Sequence, residues 1–413
     1  MKDLPSLEEA RALDRNDPLS ALRKEFHLPQ HSGQDAMYFT GNSLGLQPKA
    51  AAKALQVELD DWARLGVEGH FHGQHPWVNY HDRFVDGLTH LTGAKPHEVV
   101  AMNGLTVNLH LLLISFYNPK AGRTKILCEA KAFPSDRYAL CSQIKLHGGN
   151  PATDLVEVAP REGEHHLRTE DIVAAIQETG DALATVMIGG VNYYTGQLHD
   201  MEGIARAAHK VGATCGFDLA HTMGNVPLEL HNWEVDYACW CSYKYLNSGP
   251  GAVSGVFIHE RHVRDAQGLG TAMQRLEGWW GHDAASRFQM APDFVPMPSA
   301  EAWQMSNAPV LNMAVHKVAL DLFLSVGMSA LRERSLRLTA FLEEVVDAVA
   351  EVTGSSLGSG PCQSQVPLFS HVLRAVLTML RFVLPIHWHR HSPQLQASIR
   401  AILLIQSSPD SAT

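Results

Sequence analysis

What this 413-residue chain lacks removes several classes of function. No run of about 18 uninterrupted apolar residues occurs, so no ordinary membrane-spanning helix is expected. Basic residues are the minority, 33 Lys and Arg against 43 Asp and Glu. The resulting charge of −10 argues against nucleic acid as the main partner. The opening, Met1-Lys2-Asp3-Leu4-Pro5 and then an acidic helical stretch, is neither a secretory signal nor an Arg-rich transit peptide. Cysteines number six, at 128, 141, 215, 239, 241 and 362, mostly inside apolar runs, as buried free thiols would be. Cys239 and Cys241 straddle Trp240, a gap that suits neither a zinc pair nor a redox Cys-x-x-Cys. No His-Glu-x-x-His or comparable ligand spacing appears among the 24 histidines, so no metal is assigned, and the default compartment is cytoplasmic. From Gly354 onward lysine and glutamate disappear altogether. Arg374, Arg381, Arg390 and Arg400 face only Asp410, which gives that stretch +3 and leaves −13 on the remainder.

What is present describes a globular α/β protein: 45% hydrophobic and 18% charged residues, in a chain longer than one ordinary core. The turn Gly41–Pro48 places Pro48 at the first position of a helix, Lys49 to Leu65, with Leu55, Leu59 and Trp62 on one face. Short apolar strands are expected at Thr124–Cys128, Ala184–Ile188, Ala213–Phe217, Tyr237–Cys241 and Val253–Ile258. Amphipathic helices such as Thr169–Glu178 and Met201–Val211 lie between them. That rhythm predicts a mainly parallel sheet covered on both faces, which binds ligands at the carboxyl ends of its strands. From Pro309 to Val352 the pattern turns helical, with Leu331, Leu338, Phe341, Leu342, Val345 and Val349 at helix spacing. The expected divisions are 1–65, a helical segment belonging to a small domain; 66–300, a large domain; 301–352, the helical start of the C-terminal small domain; and 353–413, a divergent tail.

Two residues stand where a ligand would be. Asp218 closes the run Phe217-Asp218-Leu219-Ala220-His221, and Lys244 follows the next strand in Trp240-Cys241-Ser242-Tyr243-Lys244-Tyr245-Leu246-Asn247. A lysine can carry an aldehyde as a Schiff base, and an acid can hold a pyridine nitrogen protonated; pyridoxal phosphate chemistry needs both. Taken singly, the lysine is an edge-strand surface residue and the aspartate a turn or cap. Gly104-Leu105-Thr106 opens an apolar helix and offers backbone N–H groups and a hydroxyl to an anion, against the plain alternative of a Thr N-cap. In Phe133-Pro134-Ser135-Asp136 the aromatic can stack on a flat ring, while Ser135 or Asp136 caps the helix through Tyr138 and Ile144. His221 backs the carboxylate or flanks the ring, or is structural. Tyr243 can reach phosphate or act as an acid. Trp279 and Trp280 are core or interface residues, with an indole N–H able to donate to phosphate.

Together these motifs resemble the kynureninase family of fold type I, aspartate-aminotransferase-like enzymes. The likeness extends through Gly41-Asn42-Ser43-Leu44-Gly45, Met102–Asn108, Tyr194-Thr195-Gly196-Gln197, Gly278-Trp279 and Ser306-Asn307, over residues from about 10 to 352. The resemblance implies pyridoxal 5'-phosphate as cofactor, with Leu105 and Thr106 at its phosphate and Phe133 on its ring within a Phe133–Asp136 loop. It implies Asp218 and His221 on the pyridine side, Tyr243 at the phosphate, and Lys244 as the Schiff-base lysine. Lys244, Tyr243 and Asp218 would be the catalytic set. It further implies a homodimer in which Trp279 and Asn307 cross the subunit boundary, with His70 and Asn307 recognising the aryl end of the substrate. The implied reaction is hydrolysis of L-kynurenine or its 3-hydroxy form to anthranilate or 3-hydroxyanthranilate and L-alanine, a step of tryptophan catabolism and de novo NAD biosynthesis.

Three departures stand out. The family commonly carries Ser where this chain has Gly189, which removes one hydrogen bond to the cofactor. The stretch from Arg261 to Trp279 is a few residues longer. Nothing after Val352 resembles the small domain whose arginine holds the substrate carboxylate, and none of the four tail arginines takes that duty. Two alternatives follow: a catalytically impaired form with a changed ending, and another fold type I enzyme such as a cysteine desulfurase-like lyase, which would need a loop cysteine.

Overall fold

The computed structural model describes residues 6–353 apart from Ser32, Met37 and Ala266. The composition change after Gly354, its four arginines and Cys362 lie outside the described residues.

The sheet has seven strands, β1 (Val99–Ala101), β2 (Lys125–Glu129), β3 (Leu155–Val158), β4 (Leu183–Gly189), β5 (Thr214–Asp218), β6 (Tyr237–Trp240) and β7 (Gly255–Ile258), in the order β1-β7-β6-β5-β4-β2-β3. β3, β2, β4, β5 and β6 pair in parallel; β7 runs antiparallel between β6 and β1. The five expected strands all form, within three residues at each end. Their side chains alternate between two cores. Cys215, Phe217, Ala238 and Trp240 join one face with Ile172, Ile176 and Ile204 of the helices α5 (Thr169–Thr179) and α6 (Met201–Lys210). Ile126, Cys128, Tyr237 and Cys239 join the other with Leu109 and Leu112 of α3 (Leu105–Phe116) and Leu140 and Ile144 of α4 (Pro134–Leu146). Both faces are therefore dry, which is why these strands read as continuous apolar runs.

The first long helix, α1 (Ala51–Leu65), departs from its sequence pattern. It begins three residues after Pro48, which instead pairs with Phe26 in a two-residue antiparallel ladder. Its buried positions are Ala51, Glu58 and Asp61, while Leu59 and Trp62 are exposed. The polar face turns inward because the Glu58 carboxylate accepts from Tyr80 Oη at 2.8 Å and Trp77 Nε1 at 2.9 Å, with His75 Nδ1 at 2.9 Å. A buried carboxylate so surrounded no longer carries the full desolvation penalty.

The helical region after residue 309 is two helices, α7 (Val310–Val326) and α8 (Met328–Thr353), bent by 82° at Gly327. The expected apolar stripe of α8 is only partly covered: Leu331 packs against the core, whereas Leu338 is exposed. α7 packs on α1 and on α2 (Val85–Thr92), and Arg334 of α8 pairs with Asp17 at 2.7 Å. Among the described residues no single helix is long and apolar enough to cross a membrane.

Candidate active site

A cavity of about 230 Å³ opens at the carboxyl ends of β2, β4, β5 and β6. Its walls include Leu105, Thr106, Phe133, Ser135, Asp136, Asp218, His221, Tyr243 and Lys244, nine of the residues singled out in the sequence. Pro134, between Phe133 and Ser135, is the first residue of α4 and does not line the cavity. Trp279, Asn307 and His70 stand elsewhere in this chain. Trp279 lines a separate recess and donates to the Arg287 carbonyl at 3.3 Å. Asn307 is exposed, and His70 contacts the Val67 carbonyl at 2.9 Å and the Trp77 ring edge-on.

Asp218 is the last residue of β5, and Lys244 sits four residues beyond β6. Lys244 Nζ lies 2.9 Å from His221 Nε2 and 5.9 Å from the centre of the Phe133 ring. Burial, and then the neighbouring Lys244, pull the His221 imidazole down to a pKa of about 3, so the histidine meets the amine as a neutral ring. Asp218 accepts from the Ala220 N–H at 2.6 Å. Burial nonetheless pushes its carboxyl above the ordinary range, and burial together with the Asp218 charge raises Asp136 well above it. Two buried acids side by side hold a proton between them rather than ionise together. Burial also pushes the Tyr243 hydroxyl up to about 12, keeping it a proton donor.

At the other end of the cavity, α3 begins at the N-cap Gly104, whose side shows no side-chain cap. Thr106 is thus inside the first turn and is not the cap, and its hydroxyl faces Ser135 Oγ at 3.4 Å. Likewise Ser135 and Asp136 do not cap α4; the N-cap is Phe133, without a side-chain bond. In both places the plain alternative of a cap gives way for one reason: Thr106, Ser135 and Asp136 line the cavity instead of bonding back onto their own helices. Open first-turn N–H groups of a twelve-residue helix with two hydroxyls suit a phosphate. A buried acid that retains affinity for a proton suits a pyridine nitrogen, and an amine beside an aromatic face suits an aldehyde on a flat ring. The donor set fits pyridoxal phosphate.

The lysine loop is held from outside. Gly45 donates its N–H to the Tyr243 carbonyl at 2.8 Å. A Cβ on Gly45 would overlap the Lys244 carbonyl oxygen and Asn247, so the Gly41–Gly45 turn lies flat on the backbone that carries the amine. A second recess of about 300 Å³ adjoins the cavity through Val191, Tyr193 and His221, and reaches Phe39, Asn42, Tyr245 and Leu338. Sequence reasoning missed Glu129, Tyr193 and Val191 as cavity residues. Glu129 carried a usable signal, since an acid ending an apolar run falls at a strand's carboxyl end.

Residues 37–366 match the aminotransferase class-V family. The chain is 51% identical over 350 residues to a kynureninase of Flavobacterium psychrophilum, covering 84% of this chain and 81% of that protein. It is 52% identical over 343 residues to a kynureninase of Myxococcus xanthus, covering 83% and 79%. Among solved structures, a C-DES mutant with glycine covalently linked to its PLP cofactor superposes with a TM-score of 0.63 at 15% identity, over 76% of this chain and 77% of that one. At that identity the likeness is one of fold.

Proposed function

The chain belongs to the kynureninase family within the class-V aminotransferases, and from that premise we propose that it hydrolyses L-kynurenine, or its 3-hydroxy form, to anthranilate or 3-hydroxyanthranilate and L-alanine. The observation that carries the reading is the convergence of Asp218 and Lys244 on one cavity with an open helix N-terminus at its far end. Bound there, pyridoxal phosphate supplies a sink for the electrons released at the substrate α-carbon.

The residues divide the remaining work. Leu105, Thr106, Ser135 and Tyr243 would hold the phosphate, and Phe133 would face the ring. Asp218, with the proton it shares with Asp136, would keep the pyridine nitrogen protonated. Lys244 would be the base that moves the α-proton. Water then adds to the side-chain ketone and the bond between the β- and γ-carbons breaks; Tyr243 is the proton donor for the late steps. The adjoining recess by Tyr193, Asn42 and Leu338 gives the substrate room beyond the ring.

A cytoplasmic homodimer with shared sites belongs to the same proposal. Trp279 and Asn307 are exposed and outside their own chain's cavity, as residues that complete a second copy's site would be, and in the same reading His70 and Asn307 recognise the aryl end of the substrate. In the same reading residues 1–65 form a small domain with α7 and α8, supported by the packing of α1 on α7 and by the Asp17–Arg334 pair.

A cysteine-directed reaction has less support, because Cys128, Cys215, Cys239 and Cys241 are buried and burial pushes their thiols up. The deciding experiment supplies pyridoxal phosphate and then either kynurenine or cysteine, and measures anthranilate, alanine and sulfide. Anthranilate with equimolar alanine is expected; sulfide from cysteine with no anthranilate would replace this reading.

A further inference from the structure

The loop that carries Lys244 bends back on itself and is tied to α7. Asn247 holds a left-handed backbone, φ 56°, and donates its N–H to the Lys244 carbonyl at 3.1 Å. A residue with a side chain keeps that conformation only where its surroundings enforce it. Ser248 supplies the restraint. Its N–H donates to the Ser242 carbonyl at 3.1 Å. Its hydroxyl lies 3.2 Å from the Leu246 carbonyl and 2.7 Å from Nδ1 of His316, a residue of α7. Ser248 and His316 are buried, at 2% and 0% exposure, and the His316 ring stacks on Phe84 with centres 5.1 Å apart.

We propose that His316 is a positioning residue for Lys244, fixing through Ser248 the turn that aims the amine into the cavity. This rests on the cofactor reading above. The direction of the bonds follows from what each atom can do. Burial pulls the His316 imidazole down to a pKa of about 3, so the ring is neutral and carries one N–H. Its Nε2 is buried and has no hydrogen-bond partner among the described residues. A proton there would be a buried donor without an acceptor, a worse defect than a bare lone pair. The proton therefore sits on Nδ1 and is donated to Ser248 Oγ, whose own hydrogen goes to the Leu246 carbonyl. That chain of bonds ends two residues after the amine, while Gly45 grips the carbonyl of the residue before it. The plain alternative is a contact that only fastens α7 to the rest of the fold.

The test compares wild type with Ser248→Ala, His316→Phe, the double variant His316→Phe/Ser248→Ala, His316→Asn and Leu320→Ala. Leu320 is a buried core residue of the same helix, packed against Gly87 of α2, and so serves as the packing control. The readouts are amide hydrogen exchange of residues 242–250 in the apo protein, the pH midpoint of the near-visible band of cofactor held on Lys244, and kcat with KM. Ser248→Ala and His316→Phe each break the chain of bonds, the second while keeping a ring against Phe84. Each speeds exchange of the loop by about tenfold and lowers kcat by about tenfold, with KM within about threefold of wild type. Each moves the midpoint in the same direction, and the double variant is no worse than either single one. His316→Asn, whose amide can donate from near the Nδ1 position, brings the midpoint back toward wild type. Leu320→Ala lowers Tm and leaves the midpoint in place. Wild-type exchange and midpoint in Ser248→Ala would overturn the assignment. So would additive effects in the double variant, or a midpoint that moves as far in Leu320→Ala. If His316→Phe does not fold, Ser248→Ala, which removes one oxygen atom, decides alone. A wild-type chain that gives no near-visible band with pyridoxal phosphate instead removes the cofactor reading itself. Loop exchange in the apo protein then still decides whether His316 holds the turn.

Discussion

Asp218 and Asp236 are buried aspartates, one ending β5 and one just before the adjacent β6, 7% and 3% exposed, and they have opposite characters. Asp236 precedes β6 at the amino end of the sheet. It takes the Cys215 N–H at 2.7 Å, His209 Nε2 at 2.8 Å, His262 Nε2 at 2.7 Å and Arg261 Nη2 at 2.5 Å. Burial alone would raise its pKa, but the histidine bonds and the Arg261 charge outweigh burial and hold the carboxyl far below its usual range. Asp218, at the carboxyl end of β5, has the Ala220 N–H and the charge of Lys244 to set against burial, and its pKa rises. Similar depth thus produces a structural anion at one end of the sheet and a proton-holding acid at the other. The difference lies in how many donors the loops at each end bring. An acid left short of partners by its own protein is poised for a cation from outside.

Substitutions sharpen this contrast. Lys244→Ala should have the largest effect, removing the near-visible cofactor band and turnover together; retention of the band on the purified variant would refute the lysine's role. Asp218→Asn should lower kcat on the order of 10³-fold, about 4 kcal/mol in the barrier, while leaving Tm unchanged or raised, because an under-partnered carboxyl is gone. Asp236→Asn should invert that pattern, costing about 3 kcal/mol of stability read by denaturant titration, with little change in kcat for the molecules that remain folded. Its pH dependence is also fixed in sign. A depressed carboxyl stabilises the fold fully above the unfolded-state value of about 4. The Tm gap between wild type and Asp236→Asn should therefore persist at pH 6 and shrink as pH falls below about 4. Asp218→Asn should show the opposite slope, since a raised carboxyl burdens the fold most at high pH. Thr106→Ala should have the smallest effect, roughly a fivefold loss in cofactor affinity from one hydroxyl bond, with Tm of the apo protein unmoved. A loss in Tm instead would mean that the hydroxyl serves the helix after all.

The contrast also explains what the sequence could tell. Asp218 and Lys244 were legible because strand ends are a local pattern: an apolar run stops, and whatever follows stands at the sheet's rim. The parallel rhythm from residue 124 to 258 set which rim mattered. α1 was misread for the converse reason. Its inward polar face depends on donors at 75, 77 and 80 that gather on Glu58, a pairing across some twenty residues that helix periodicity does not encode. Glu129 ends its strand by the same local pattern as Asp218, but that β2 lies beside β4, and so brings the acid to this cavity, is supplied only by strand order. The plain alternative of caps at Thr106, Ser135 and Asp136 gives way because these side chains line the cavity instead of bonding back onto their own helices.

The flat seating of Gly45 on the lysine loop has a practical side. Even a methyl group at that position would pry at the chain segment bearing the amine, more than 190 residues away in sequence. A randomised library aimed at new substrates should keep the opening turn invariant and concentrate its diversity on Phe39, Tyr194 and Leu338, whose side chains border the recess without supporting the nucleophile.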